Sequence, residues 1–249
     1  MVLSSAESAS LPSEPPPSAF AFPPASTADA KGIVTVGGDL EPGTLLTAYR
    51  SGLFPMRLPS GERAWWSPNP RGVIIPNRLR VSKSLHRSRR RFQTRVDTAF
   101  EAVIDACADR GPHEYLWITS EVRTAYLDLH RLGWAHSVEA WTVATEDEAA
   151  ILVGGLYGVA VGGLFGGESM FHRRPDASKV ALIALAELMC SDGKGGEGRL
   201  IDVQWNTPHM ASLGAADISR ERYLDQLERA LALPLPAAFG RPTAGPQHG

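Results

Sequence analysis

The chain has 249 residues, 43% of them hydrophobic and 21% charged, enough to bury the core of one large or two modest domains. Lysine plus arginine number 25 against 27 acidic residues, so a formal charge of -2 excludes a globally basic nucleic-acid binder, and any cationic face must be local. The two cysteines, Cys107 and Cys190, lie in apolar runs with no His or Cys at ligand spacing; they exclude a disulfide framework and a zinc site and predict reduced, buried thiols in a cytosolic protein.

Residues 1–19 are rich in Ser, Pro and Ala, with Pro15-Pro16-Pro17 and neither the basic nor the apolar segment of a signal peptide, which predicts a dispensable disordered leader. Residues 20–76 predict a small N-terminal α/β domain. It has a strand over 33–36 and a helix over 41–50, with Pro42 in its first turn and Leu45, Leu46 and Tyr49 on one face. Five prolines between Gly52 and Pro76 predict a loop-rich stretch that ends in a strand over 72–75.

Residues 77–239 then alternate longer helices with strands and predict a mixed α/β (α+β) domain. Helices are expected over 97–110, 120–132 and 176–190, strands over 137–145, 151–161, 163–171 and 200–204, and a last helix capped by Ser219. Residues 240–249 predict a disordered tail. The 19 uncharged residues from Ala149 to Gly167 are long enough to cross a bilayer, but they carry seven glycines among β-branched and aromatic residues. That pattern predicts adjacent buried strands and no membrane span.

The local charge lies between Arg78 and Arg95, where eight cations occur with no acidic residue among them: Arg78, Arg80, Lys83, Arg87, Arg89, Arg90, Arg91 and Arg95. Guanidinium forks match phosphate oxygens, so the segment predicts a phosphate-binding face. If six or more phosphates are contacted, affinity falls by ~10³ or more between 50 and 200 mM salt. A solvated helix surface, or an inhibitory intramolecular pairing with acidic faces, is the alternative.

Other constellations suggest a substrate site. Trp65-Trp66-Ser67-Pro68 places two adjacent indoles in a Pro-rich loop, where an exposed one could stack on a base and buried ones could cement two domains. Trp117 is a further stacking candidate, with core burial as its alternative. Glu168 ends the long uncharged stretch; buried, its carboxyl would need a partner and its pKa would rise. Asp202 and Gln204 lie two apart on a short strand, and period two puts them on one face, where a carboxylate and an amide could handle an amine proton and an oxyanion.

A series of motifs runs along the chain: Val36-Gly-Gly-Asp-Leu, Ala48-Tyr-Arg-Ser-Gly-Leu-Phe-Pro, Trp65-Trp-Ser-Pro-Asn-Pro-Arg, Trp117-Ile-Thr and Ala135-His-Ser-Val-Glu. They continue in order with Leu164-Phe-Gly-Gly-Glu-Ser-Met-Phe, Ala177-Ser-Lys, Ile201-Asp-Val-Gln and His209-Met-Ala-Ser-Leu-Gly-Ala. In the order and spacing of these motifs the chain, from Phe22 to Phe239, resembles the bacterial leucyl/phenylalanyl-tRNA–protein transferases.

The resemblance implies a GNAT-like acyltransferase domain after the small N-terminal one. It also implies transfer of Leu or Phe, less readily Met, from aminoacyl-tRNA to proteins beginning with Arg or Lys, which marks them for degradation. No cofactor is implied beyond the aminoacyl-tRNA co-substrate, and the protein is expected to be a cytoplasmic monomer. By matched position, Asp202, Gln204 and Glu168 would be catalytic; Trp65, Trp66, Trp117, Leu156, Phe165, Gly167, Ser169, Met170, Leu182 and Leu185 would bind the aminoacyl-adenosine; Arg78, Arg80, Lys83, Arg87, Arg89, Arg90 and Arg91 would meet the tRNA. Met56, Leu116 and Leu156 depart from the family's commoner Trp, Thr and Met.

Two rivals stand beside this reading. An acyl-CoA-dependent N-acetyltransferase would need an Arg/Gln-x-x-Gly-x-Gly/Ala loop between a strand and a helix, and Phe171-His-Arg-Arg-Pro-Asp-Ala-Ser lacks it. A non-catalytic RNA-binding protein would explain the arginines and tryptophans but leave Glu168, Asp202 and Gln204 without a task.

Overall fold

The computed structural model describes residues 12–109, 117–145 and 148–240. In its N-terminal part, β1 (Ile33–Val36), α1 (Pro42–Arg50), β2 (Phe54–Arg57) and β3 (Arg63–Trp66) make a small antiparallel sheet, ordered β1-β3-β2, with a helix against it. The strand over 33–36 and the helix opening at Pro42 match the sequence expectation. β2 and β3 occupy what the prolines predicted as loop. Pro55 is tolerated because β2 is the edge strand, where a missing N–H costs no ladder bond.

The remaining strands are β4 (Arg71–Ile74), β5 (Phe92–Val96), β6 (Ala135–Thr142), β7 (Leu152–Val161), β8 (Leu164–His172), β9 (Leu200–Gln204) and β10 (Ala216–Ile218). They form one sheet ordered β10-β4-β9-β8-β7-β6-β5, antiparallel at every pairing except β8–β9. β4, expected in the N-terminal domain, therefore belongs to the large sheet. The change from one sheet to the other falls between Trp66 and Arg71 rather than at residue 76, at the strand-breaking Pro68 and Pro70.

Six further helices complete the fold: α2 (Lys83–Arg89), α3 (Phe100–Ala108), α4 (Ser120–Arg131), α5 (Ala177–Met189), α6 (Pro208–Ser212) and α7 (Arg220–Leu231). α5 covers one face of the large sheet, α3 and α4 the other. Alternate residues of the central strands accordingly point opposite ways, Leu156 and Ala160 toward α5, Tyr157 and Val159 toward α3 and α4. Because β7 is buried on both faces it has no polar stripe, which is why the long uncharged stretch resembled a membrane span. Among the described residues, no helix is long and apolar enough to cross a membrane.

Residues 12–18 were expected in a disordered leader, yet they are tied to the body. Ser13 N–H donates to the Leu132 carbonyl (2.9 Å), Trp134 Nε1 donates to the Ser13 carbonyl (2.8 Å), Glu14 pairs with Arg50 (2.5 Å), and Ser18 meets Thr44 (2.9 Å). Residues 1–11 and 241–249 of the expected leader and tail, and Leu116, lie outside the described residues. Cys107 is buried as expected, whereas Cys190 is only half-buried, and neither is in a disulfide.

Candidate active site

The site begins where two parallel strands stop pairing. β8 and β9 are in register at Leu164 with Leu200, Phe165 with Ile201 and Gly166 with Asp202, and no further, although β8 runs on to His172 and β9 to Gln204. A cavity of about 390 Å³ lies beyond the last pair. Its wall is apolar: Leu156 from β7, Phe165 and Met170 from β8, and Leu182 and Leu185 from α5 are joined by Ile201. Glu168, Ser169 and Gln204 supply the polar part, with Gly167 between them, and Trp117 closes one side. Ten of the sequence-predicted residues thus converge on one hollow.

Three do not line it. Trp65 is fully buried in the core of the small domain, its Nε1 donating to the Gly37 carbonyl (2.9 Å) and its ring edge-on to Phe22. Neighbouring strand residues face opposite ways, so Trp66 turns to the other side, where it donates to the Met56 carbonyl (3.0 Å) and meets Trp205 edge-on. Trp205, which sequence reasoning missed, lines the cavity as Trp117 does, and it is 39% exposed.

Asp202 is the third. It is 1% exposed and bound on both oxygens: Oδ1 accepts from Arg71 Nε (2.9 Å) and from the Gln204 backbone N–H (2.9 Å), Oδ2 from Arg71 Nη2 (2.6 Å) and the Tyr223 hydroxyl (2.8 Å). With four acceptor positions used, the carboxylate has no lone pair left for a substrate proton. The expectation that Asp202 and Gln204 share a face also fails, because Gln204 has φ +57° and the strand alternation breaks there. Gln204 therefore reaches the cavity while Asp202 stays behind it and grips its backbone.

Glu168 has partners the sequence did not reveal. Tyr49 of α1 donates to its Oε1 (2.5 Å), Tyr126 of α4 to its Oε2 (2.9 Å), and the two phenol oxygens are 2.6 Å apart. Gly166 lets the Tyr49 ring come this close, since a β-carbon there would lie 3.1 Å from Tyr49 Cε1. Burial raises the Glu168 pKa to about 7, against the lowering effect of the two phenols. Burial first, then the neighbouring carboxylate, pushes both phenols well above their usual value, so they stay O–H donors.

The cations Arg78, Arg80, Lys83, Arg87, Arg90 and Arg91 are exposed on and around α2, whose first turn is capped by Ser82. Arg87, Arg89 and Arg90 line a cleft of about 620 Å³ with Phe92. Arg80 and Lys179 line another of about 540 Å³ on the other side of α2. The segment is less free than its sequence implied, for Arg89 is paired with Glu187 (2.5 Å) and Arg91 lies 4.0 Å from Asp176. Among the described residues, no three His, Cys, Asp or Glu side chains converge to hold a metal ion.

Residues 73–228 match the family model for leucyl/phenylalanyl-tRNA protein transferase, and residues 38–69 match the model of that family's N-terminal domain. The chain belongs to this transferase family. The gap between the two matched segments, residues 70–72, overlaps the change of sheet at the start of β4. Proteins named leucyl/phenylalanyl-tRNA–protein transferase are similar along nearly the whole length. The one from Oleidesulfovibrio alaskensis is 47% identical over 220 residues, 87% of each chain. That from Idiomarina loihiensis is 45% identical over 228 residues, 90% of this chain and 92% of the relative, and that from Aromatoleum aromaticum 50% over 207 residues, 81% and 83%. As a member of the leucyl/phenylalanyl-tRNA–protein transferase family, the protein is an aminoacyltransferase.

Several site residues were invisible to sequence reasoning. Tyr49 and Tyr126 fit the apolar faces of their helices and are indistinguishable there from core. Arg71 and Asp202 carried a usable signal, since each is a lone charge in an apolar strand and a buried charge needs a partner.

Proposed function

We propose that the protein transfers Leu or Phe, and less readily Met, from aminoacyl-tRNA to the α-amino group of proteins beginning with Arg or Lys, tagging them for degradation. In this reading it acts in the cytoplasm as a monomer and needs no cofactor. The observation that supports it best is the cavity itself: an apolar hollow of about 390 Å³ with its few polar groups gathered where β8 and β9 part. The acyl side chain enters among Leu156, Phe165, Met170, Leu182 and Leu185, leaving its ester carbonyl beside Gln204. Such a pocket separates Leu from an analogue one methylene smaller by only ~1–3 kcal/mol, so shape at the branch point does most of the selecting.

The reaction is aminolysis of an ester: a bond forms from the amine nitrogen to the carbonyl carbon, the bond to the ribose oxygen breaks, and one proton passes from nitrogen to that oxygen. It is downhill, and holding amine and ester in attack geometry can supply ~7–11 kcal/mol of barrier lowering without a covalent intermediate. Gln204, anchored through its backbone by Asp202, orients the reacting groups, and Trp205 and Trp117 flank the adenosine. The cations around α2 hold the tRNA body.

The test is incubation with labelled Leu-tRNA and an Arg-initiated peptide, without CoA. Label in the peptide is expected. Its absence overturns the proposal, and label transfer from acyl-CoA instead would restore the acetyltransferase reading.

A further inference from the structure

Aminolysis needs a carrier for one proton, and neither group at the ester carbonyl can serve. Gln204 has no basic atom, and Asp202 has all its acceptor positions filled. Glu168, unlike Asp202, lines the cavity wall. Four oxygens, the Tyr49 and Tyr126 hydroxyls and the two of the carboxylate, make three contacts: Tyr49 to Oε1 (2.5 Å), Tyr126 to Oε2 (2.9 Å) and phenol to phenol (2.6 Å). With Glu168 ionised the cluster holds two hydrogens for three contacts, so one oxygen–oxygen contact has none. With Glu168 protonated it holds three, and every contact can be a hydrogen bond. A proton added at Glu168 completes the ring.

We infer that Glu168 is the proton acceptor of the transfer step, and that Tyr49 and Tyr126 are positioning residues that hold its carboxylate ready. As the amine nitrogen bonds to the carbonyl carbon, Glu168 takes the proton the nitrogen sheds. When the carbonyl–ribose bond breaks, the ribose oxygen takes that proton back. The inference rests on the proposed transferase reading. It gives the small domain a task, since α1 brings Tyr49 across to β8 and docks against α4, which carries Tyr126.

The groups facing Glu168 are Tyr49 from α1, Tyr126 from α4, Asp202 from β9 and Arg71 from β4. Burial raises its pKa to about 7, close to working pH, which suits a general base. Each phenol stabilises the carboxylate by a charge-assisted bond and the neutral acid by a weaker one, so removing a phenol moves this pKa up.

The experiment is the pH dependence of kcat/KM for Leu transfer to an Arg-initiated peptide, in the wild-type chain and in Tyr49→Phe, Tyr126→Phe and Glu168→Gln. In the wild type both Glu168 and the acceptor amine must lose a proton, so log kcat/KM rises with a slope near ~2 below both pKa values. Each Tyr→Phe variant, confirmed folded by its thermal transition, should move the Glu168 limb up by roughly half to one pH unit. Glu168→Gln should lose that limb, leave a slope near ~1 and slow transfer ~100-fold or more. A limb unmoved in both tyrosine variants, or kept in Glu168→Gln, overturns the inference while leaving the transferase reading intact. A wild-type chain that transfers nothing overturns that reading instead.

Discussion

Arg71 and Asp202 form a bidentate ion pair sealed from water, with contacts of 2.9 and 2.6 Å and side-chain exposures of 1% and 2%. The guanidinium is further held over the rings of Tyr223 (4.3 Å) and Phe54 (4.7 Å), and it donates to the Gly52 carbonyl. The pair joins β4 to β9, and its carboxylate also fixes the Gln204 N–H, so the structure of the sheet and the aim of the cavity amide depend on one ion pair. Asp202→Ala would leave a buried arginine without its counter-charge, at a cost of ~3–5 kcal/mol. Urea denaturation should show that loss. The double variant Arg71→Met, Asp202→Leu should recover much of the stability yet stay impaired in transfer, because nothing then grips Gln204. A double variant with wild-type transfer would show that Asp202 has no positioning role.

Trp65 and Trp205 should separate stability from binding. Trp65 is fully buried and bonded to Gly37, so Trp65→Ala should cost ~3–5 kcal/mol in a denaturant titration. Trp205 is 39% exposed on the cavity rim, edge-on to Phe54 and Trp66. Trp205→Ala should shift the denaturation midpoint much less while raising KM for aminoacyl-tRNA ~5- to 150-fold, the value of ~1–3 kcal/mol for one stacked base. The reverse ranking in the two assays would move the adenosine to Trp65.

The elements most legible in the sequence are those with a strong period or a clear stop. α4 with its apolar face, α7 behind Ser219, and β9 with its Leu-Ile core all fall within a residue or two of expectation. The helix expected over 97–110 starts three residues later, at Phe100, because Asp97 takes a left-handed φ of 55° and spends its carboxylate on His136 and the Ser137 N–H. The short elements β2, β3, β5, α2, α6 and β10 give no such signal; their stability comes from tertiary partners that composition does not disclose. In the site, the residues of the apolar wall followed from the family resemblance by matched position, with Phe165 and Met170 inside a motif along β8. The inner hydrogen-bonded layer of Tyr49, Tyr126, Arg71 and Tyr223 was not legible, since each partner lies more than 20 residues away in the chain.

The cations around α2 should contribute unequally to tRNA binding. Lys83, Arg87 and Arg90 are exposed, whereas Arg89 is already engaged by Glu187. Replacing the first three with Ala should flatten the slope of log K against log salt by ~2, since each phosphate no longer neutralised removes about 0.7–0.9 from it. Arg89→Ala should change it less. Filter binding of aminoacyl-tRNA between 50 and 200 mM salt measures both slopes, and equal slopes for the triple variant and the wild type would remove α2 from the tRNA interface.

Glu168 should make the folded chain less stable at neutral pH than a neutral residue in its place. Its pKa is about 7 in the folded protein against 4.5 when free, so the folded state holds the proton more tightly than the unfolded one. Below 4.5 both states are protonated and the group carries no penalty; as pH rises toward 7 the unfolded carboxyl ionises freely while the buried one resists, and stability declines until both are ionised. Glu168→Gln keeps the size of the side chain, offers its amide oxygen to one of the Tyr49 and Tyr126 hydroxyls and its NH2 as a donor to the other, and cannot ionise. Denaturation midpoints at pH 8 should therefore favour Glu168→Gln by on the order of 1–3 kcal/mol, with the gain gone at pH 4.5. A gain of equal size at both pH values would trace it to packing and not to the carboxylate's charge.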